Sequence, residues 1–266
     1  MLQFLAKSHQ GSLNQQNMEK KERMEMNLKF DDFEKPGLYL IFSDQSKLPL
    51  TKENIELTAK TYWNDSAKIP PEIRKATEFQ RCHFCPLKRT EDICDAIRPT
   101  IPFLGIVDQY VSFDKVTAVF REDRKDILHI SSTTMQQALK YVSLLSLLHY
   151  CRKGRTYWRY FWGINPLTSG QEIASRLYLN LTFLHKGNGE EINRVISKFK
   201  EEMKITSKNQ VARINLICKN DAFSNSFVNT QIITQILSMD PDKALEAAFK
   251  NFEETYWNSD PKPTPT

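Results

Sequence analysis

The chain has 266 residues, 40% hydrophobic and 26% charged, with a formal net charge of +5. That length holds one large domain or two small ones with room for a core, and the composition is that of a globular protein, not a disordered or fibrous one. The mild positive charge is mixed with acids along most of the chain, so bulk charge does not argue for nucleic-acid binding and only a local patch stays open.

Five cysteines, odd in number and clustered, do not fit a secreted disulfide scaffold. A reducing, cytoplasmic setting is expected. The opening Met1 to Ala6 has no basic n-region and no adequate apolar run, so it does not read as a signal peptide. The most apolar helix, around Val142 to Leu148, is shorter than the roughly 18 apolar residues of a membrane span. Residues 1–26 hold no apolar period and read as a disordered tail, and the natural start is expected at Met24 or Met26.

Along the chain, residues 27–70 read as a small β segment. Leu28 and Phe30 alternate with polar neighbours, Pro36-Gly37 punctuates, and Leu38 to Phe42 is strand-like. The stretch Leu50 to Trp63 fits either strand or helix. Residues 71–258 read as a mainly helical domain that carries the cysteine cluster. Within it a short helix is expected over Glu91 to Ile97, stopped by Pro99, and another opens at Thr100. Lys115 to Phe120 and Ile127 to Ile130 form a second hairpin. Ser132 to Thr134 offers an N-cap for a central helix running to about Cys151, with Leu139, Val142, Leu145 and Leu148 on its buried face.

Further helices are marked by the capping box Ser169-Gly170-Gln171-Glu172, by Ile192 to Met203, by Val211 to Cys218, and by Phe223 to Ile236. Asp240-Pro241 opens a last one towards Tyr256, before a disordered tail at 259–266. The fold class is therefore α+β, a mainly helical body with two small β-hairpin or strand-rich segments.

Chemistry concentrates in Cys82-His83-Phe84-Cys85-Pro86. Cys94 follows after eight intervening residues, so three of the five cysteines lie between 82 and 94. Two thiolates on a tight turn can hold one metal ion, and further ligands must then come from elsewhere. Cys82, Cys85 and Cys94 supply three. Cys151, at the end of the central helix, is the fourth, with His83 as its substitute. Zinc suits such a set, and an iron–sulfur cluster is the alternative. A redox dithiol fits less well, because Pro86 follows at once and no long strand leads in. Cys218 reads as a core thiol.

A second candidate is the basic-aromatic turn in which Arg152, Lys153, Arg155 and Arg159 interleave with Tyr157, Trp158, Tyr160, Phe161 and Trp162. Single-stranded nucleic acid is bound by such sets, although cations also suit a helix C-terminus and the aromatics can fill a core. Phosphate-loop, HExxH, GxSxG and dinucleotide motifs are missing.

The stretches Cys82 to Leu87, Tyr110 to Val119 and Ile214 to Phe223 together resemble an uncharacterised family of bacterial proteins, over roughly residues 27 to 238. The resemblance implies a bacterial source and one compact unit, and it brings no catalytic residue, substrate or partner. A cytoplasmic zinc-binding protein with a binding or regulatory role is the leading expectation. An iron–sulfur or thiol-dependent redox enzyme and a single-stranded nucleic-acid binder are the alternatives.

Overall fold

Leu38 and Leu40 of β1 (Gly37–Ile41) face Leu50 and Leu48 of β2 (Lys47–Thr51) across an antiparallel hairpin. The turn is closed by Asp44, whose carboxylate accepts from Ser46 N at 2.9 Å and Ser46 Oγ at 2.6 Å, an aspartate turn that lets Gln45 take a φ of +67°. The computed structural model describes residues 30–64, 69–87, 93–123, 127–239 and Lys250. The chain divides into a segment Met1–Glu34, whose described part is a 3-10 turn at Phe30–Phe33, and a second compact unit, Lys35–Thr266. Phe30 thus belongs to a turn and not to a strand, and Pro36-Gly37 opens β1. The tail at 1–26, the helix expected after Asp240 and the tail at 259–266 lie outside the described residues.

The second hairpin, β3 (Lys115–Arg121) and β4 (Leu128–Thr134), joins the first through β1 and β3, giving one antiparallel sheet in the order β2-β1-β3-β4. The two strand-rich segments are thus one sheet inside one unit. β4 runs through Ser132 to Thr134, which the sequence suggested as a helix cap; Thr134 does stand at the N-cap of the next helix, without a side-chain capping bond, and β-branched and hydroxyl residues suit this half-exposed edge. Leu38, Leu40, Leu48, Leu50, Val116 and Ala118 share one face and belong to the main core.

Helices cover that core. The ambiguous stretch resolves into the end of β2 and α1 (Lys52–Asn64), followed by α2 (Pro71–Glu78) and α3 (Ile101–Val107). Of the helix expected over Glu91 to Ile97, Glu91 and Asp92 lie outside the described residues, and Cys94 to Arg98 make a single turn bonded to Cys94 O.

The helix expected to reach Cys151 exists in three pieces: α4 (Met135–Ala138), α5 (Lys140–Leu144) and a π-helical turn, Leu145–Tyr150. A 3-10 segment, Gly154–Phe161, follows. The capping box of α6 (Gly170–Leu184) forms as expected, with Glu172 N donating to Ser169 Oγ at 3.2 Å and Ser169 N to Glu172 Oε2 at 2.8 Å.

The two helices marked by Ile192 and Val211 are one, α7 (Gly189–Ile214). One helix, α8 (Ala222–Met239), packs against five others, α3, α4, α5, α6 and α7.

Candidate metal centre

The site is assembled from three stretches of chain, each fixed by its own hydrogen bonds. After α2 the backbone turns through Gln80, at a φ of +45°, and its carbonyls at Phe79 and Gln80 accept from Arg213 Nε at 2.6 Å and Nη2 at 3.0 Å. The next turn is closed by Cys85 N donating to Cys82 O at 3.0 Å, which sets the two cysteines on one tight bend.

Cys94 opens a turn held from both sides. Trp63 Nε1 donates to Arg98 O at 2.9 Å, and the buried Ser146 Oγ donates to Ala96 O at 2.6 Å. Cys151 ends the π turn, its N–H donating to Ser146 O at 3.0 Å. The chain reverses there against the helix it has just left. A Cβ on Gly154 would lie 1.7 Å from Leu147 O, so only glycine permits that approach. The residues next to the two cysteines are paired as well: Arg152 Nε lies 2.7 Å from Asp95 Oδ2.

These constraints bring Cys82, Cys85, Cys94 and Cys151 to the wall of a single cavity of about 20 Å³. Three of the sulfurs accept N–H donors. Asn209 Nδ2 is 3.3 Å from Cys82 Sγ, Arg213 Nη1 is 3.2 Å and Gln210 Nε2 3.5 Å from Cys94 Sγ, and Gly154 N is 3.5 Å from Cys151 Sγ.

Arg213 is 1% exposed, and no carboxylate pairs with it among the described residues. A buried cation needs a compensating anion or dense hydrogen bonding. The groups beside it that can become anionic are the thiols. Gln210 is fully buried on the same wall, with its Oε1 lacking a partner.

Burial pushes the Cys151 thiol up to about 11, and nearby Cys94 and Cys82 add to the shift. Burial also raises Cys82, partly offset by the Asn209 hydrogen bond and by the Arg213 charge. As protonated thiols these groups are poor nucleophiles; a divalent cation is the kind of ligand that draws them into the thiolate form. In the present arrangement no three His, Cys, Asp or Glu side chains among the described residues are close enough together to hold a metal ion.

His83 is exposed, stacks edge-on with Phe84 at 5.0 Å and is not part of the cavity wall. Cys218 follows α7, partly buried, with its thiol raised to about 12 by burial and then by Asp108, away from the other four.

The basic-aromatic turn does not form one surface. Arg152 is held by Asp95, and Lys153 points to the cysteine cavity with Nζ 3.2 Å from Glu202. Arg155 donates to His149 O at 3.0 Å. Tyr157, Tyr160 and Phe161 are core, and Trp158, Arg159 and Trp162, with the buried Phe161 behind them, line a second, larger cavity.

Sequence reasoning missed Asn209, Gln210 and Arg213. Their signal was present: Phe199, Met203, Thr206, Gln210 and Arg213 follow the four-three spacing of one helix face, so polar residues continue an apolar stripe into the interior. No protein-family model matches the chain, and neither does a curated protein or a solved structure. Among the described residues no helix is long and apolar enough to cross a membrane.

Proposed function

We propose that Cys82, Cys85, Cys94 and Cys151 hold one structural zinc ion in a cytoplasmic protein with a binding or regulatory role. Four cysteines from three stretches of chain lining one small cavity carry this reading. Four thiolates satisfy tetrahedral zinc. Arg213 and the donors on α7 then act as the outer hydrogen bonds that orient thiolate ligands and offset their charge. All five cysteines are unpaired thiols, in keeping with a reducing compartment. A cavity of about 20 Å³ suits a single ion; an iron–sulfur cluster would have to push the Cys82–Cys85 bend outward.

The ion would tie the loop after α2, the turn at Cys94 and the end of the π turn to one point, and its contribution is to folding. Elemental analysis of anaerobically purified protein, read with its absorbance spectrum, tests the proposal. About one zinc per chain and a colourless solution are expected. A brown chromophore with iron selects the cluster, and protein that never carries metal and binds none on titration defeats both.

A further inference from the structure

A cavity of about 780 Å³ lies between the sheet and the chain around the 3-10 segment. That volume is within the range of small-molecule sites, whereas two further cavities are about 20 and 10 Å³. Its floor is apolar and aromatic: Phe120, Tyr141, Leu144, Leu145 and Phe161. Tyr141 brings the floor a polar atom, its hydroxyl, beside Gly37. Its phenol is pushed well above its ordinary range, chiefly by burial and then by the Asp123 charge, so it is a donor there.

The mouth carries two large aromatic side chains that the fold leaves in water, Trp162 at 72% and Trp158 at 37% exposure. Trp162 is pinned by its backbone and not by its ring. Asn180, itself buried, donates from Nδ2 to both Tyr160 O and Trp162 O at 2.8 Å. Gly163 then turns the chain away at a φ of +65°. A ring anchored at its backbone and uncovered on its faces is open to stacking by a planar ligand. Arg159 lies on the same wall, its guanidinium ordered by a 2.7 Å bond to Tyr160 Oη and by stacking 4.8 Å above that ring.

The charge around the cavity is nearly balanced. The cations Lys35, Lys52, Arg121 and Arg159 stand against the acids Glu53, Glu122 and Asp123, leaving one positive charge in excess. Glu53 is met by Lys35 at 3.2 Å, Lys52 by Glu56 at 3.9 Å and Glu122 by His129 at 2.7 Å, while no carboxylate pairs with Arg159 among the described residues. A strand of phosphates would want many uncompensated cations; one excess charge suits one anionic group. We propose that this cavity binds a planar aromatic small molecule carrying a single anionic group, stacked at Trp162 and Trp158 with its anion at Arg159.

Titrations of the full chain followed by tryptophan fluorescence and calorimetry test this with indole-3-acetate, adenosine monophosphate and neutral indole. Saturable one-to-one binding of at least one anion is expected, and the stronger of the two assigns the source, an aromatic acid or a nucleotide. Arg159→Ala should weaken that anion about tenfold and leave indole unchanged, since only the charge-assisted bond is removed. Trp162→Ala should weaken both. Both side chains are exposed, and an unchanged thermal midpoint verifies that the variants fold.

The proposal is overturned if neither anion saturates, or if both variants bind like the native chain. Tighter binding of a single-stranded oligonucleotide at the same residues, with affinity falling steeply in salt, would overturn it too.

Discussion

A guanidinium at 1% exposure sits where water cannot screen it, and Arg213 meets that condition with two backbone carbonyls and one cysteine sulfur. Removing it leaves the Phe79 and Gln80 carbonyls unpaired and takes away the cation that favours thiolates. Arg213→Met is therefore expected to weaken metal binding by about 10- to 100-fold, measured by competition with a chromophoric chelator. Arg213→Lys keeps the charge but loses the fork, and should fall between.

A second residue governs the acid limb of stability. His149 lies edge-on to Tyr150 and Trp158, and its buried Nδ1 has no partner. Burial, then Lys52 and Arg155, lowers its pKa from 6.5 to about 4. Glu56 lies 3.9 Å from Nε2 but is half exposed, too solvated to hold the proton. Because the unfolded chain takes up this proton first, His149 subtracts stability as pH falls from about 6.5 to about 4, and adds no slope above that window. His149→Phe should flatten that part of the profile, read from urea midpoints across pH.

At the scale of elements, local chemistry that depends on neighbours in sequence was legible. Ser169 and Glu172 form the box their spacing announces, and Ser169→Ala should cost about 1 kcal/mol in urea unfolding. Chemistry that depends on distant partners was not. Phe223 to Ile236 marked α8 as a helix, but the burial of Ser224, Ser226, Thr230 and Thr234 within it is not announced by apolar periodicity. Its interior hydroxyls are satisfied across helices: Ser143 Oγ pairs with Thr230 Oγ1 at 2.7 Å and donates to Ser226 O at 3.0 Å, and Ser207 Oγ donates to Phe227 O at 2.9 Å.

The same blindness hid the donors on α7. Asparagine, glutamine and arginine on a helix are expected to face water until chain 116 to 133 residues away proves to lie over them. The turn at Cys94 failed to become a helix for a related reason. Trp63 and Ser146 bind its carbonyls at Arg98 and Ala96, so these groups are satisfied without helical bonds ahead of Pro99.

Across the whole molecule, one sheet and one helical body share a core, and the cysteine cavity joins the loop after α2, the turn at Cys94, the π turn and α7. A bound ion at a thousandfold excess over its dissociation constant stabilises by about 4 kcal/mol. For a unit of this size chelation should therefore lower the thermal midpoint by on the order of 10 °C. Which cysteines line one cavity was a matter of spacing for Cys82, Cys85 and Cys94. For Cys151 it depended on where a helix ends, and the π turn and Gly154 decide that.

The most direct measurement is zinc stoichiometry and thermal midpoint, side by side, for the native chain, Cys151→Ser and Cys218→Ser. The four-cysteine centre predicts about one zinc in the native chain and in Cys218→Ser, with zinc and the midpoint both falling in Cys151→Ser. Zinc and midpoint unchanged in Cys151→Ser, or no zinc in any of the three, would contradict it.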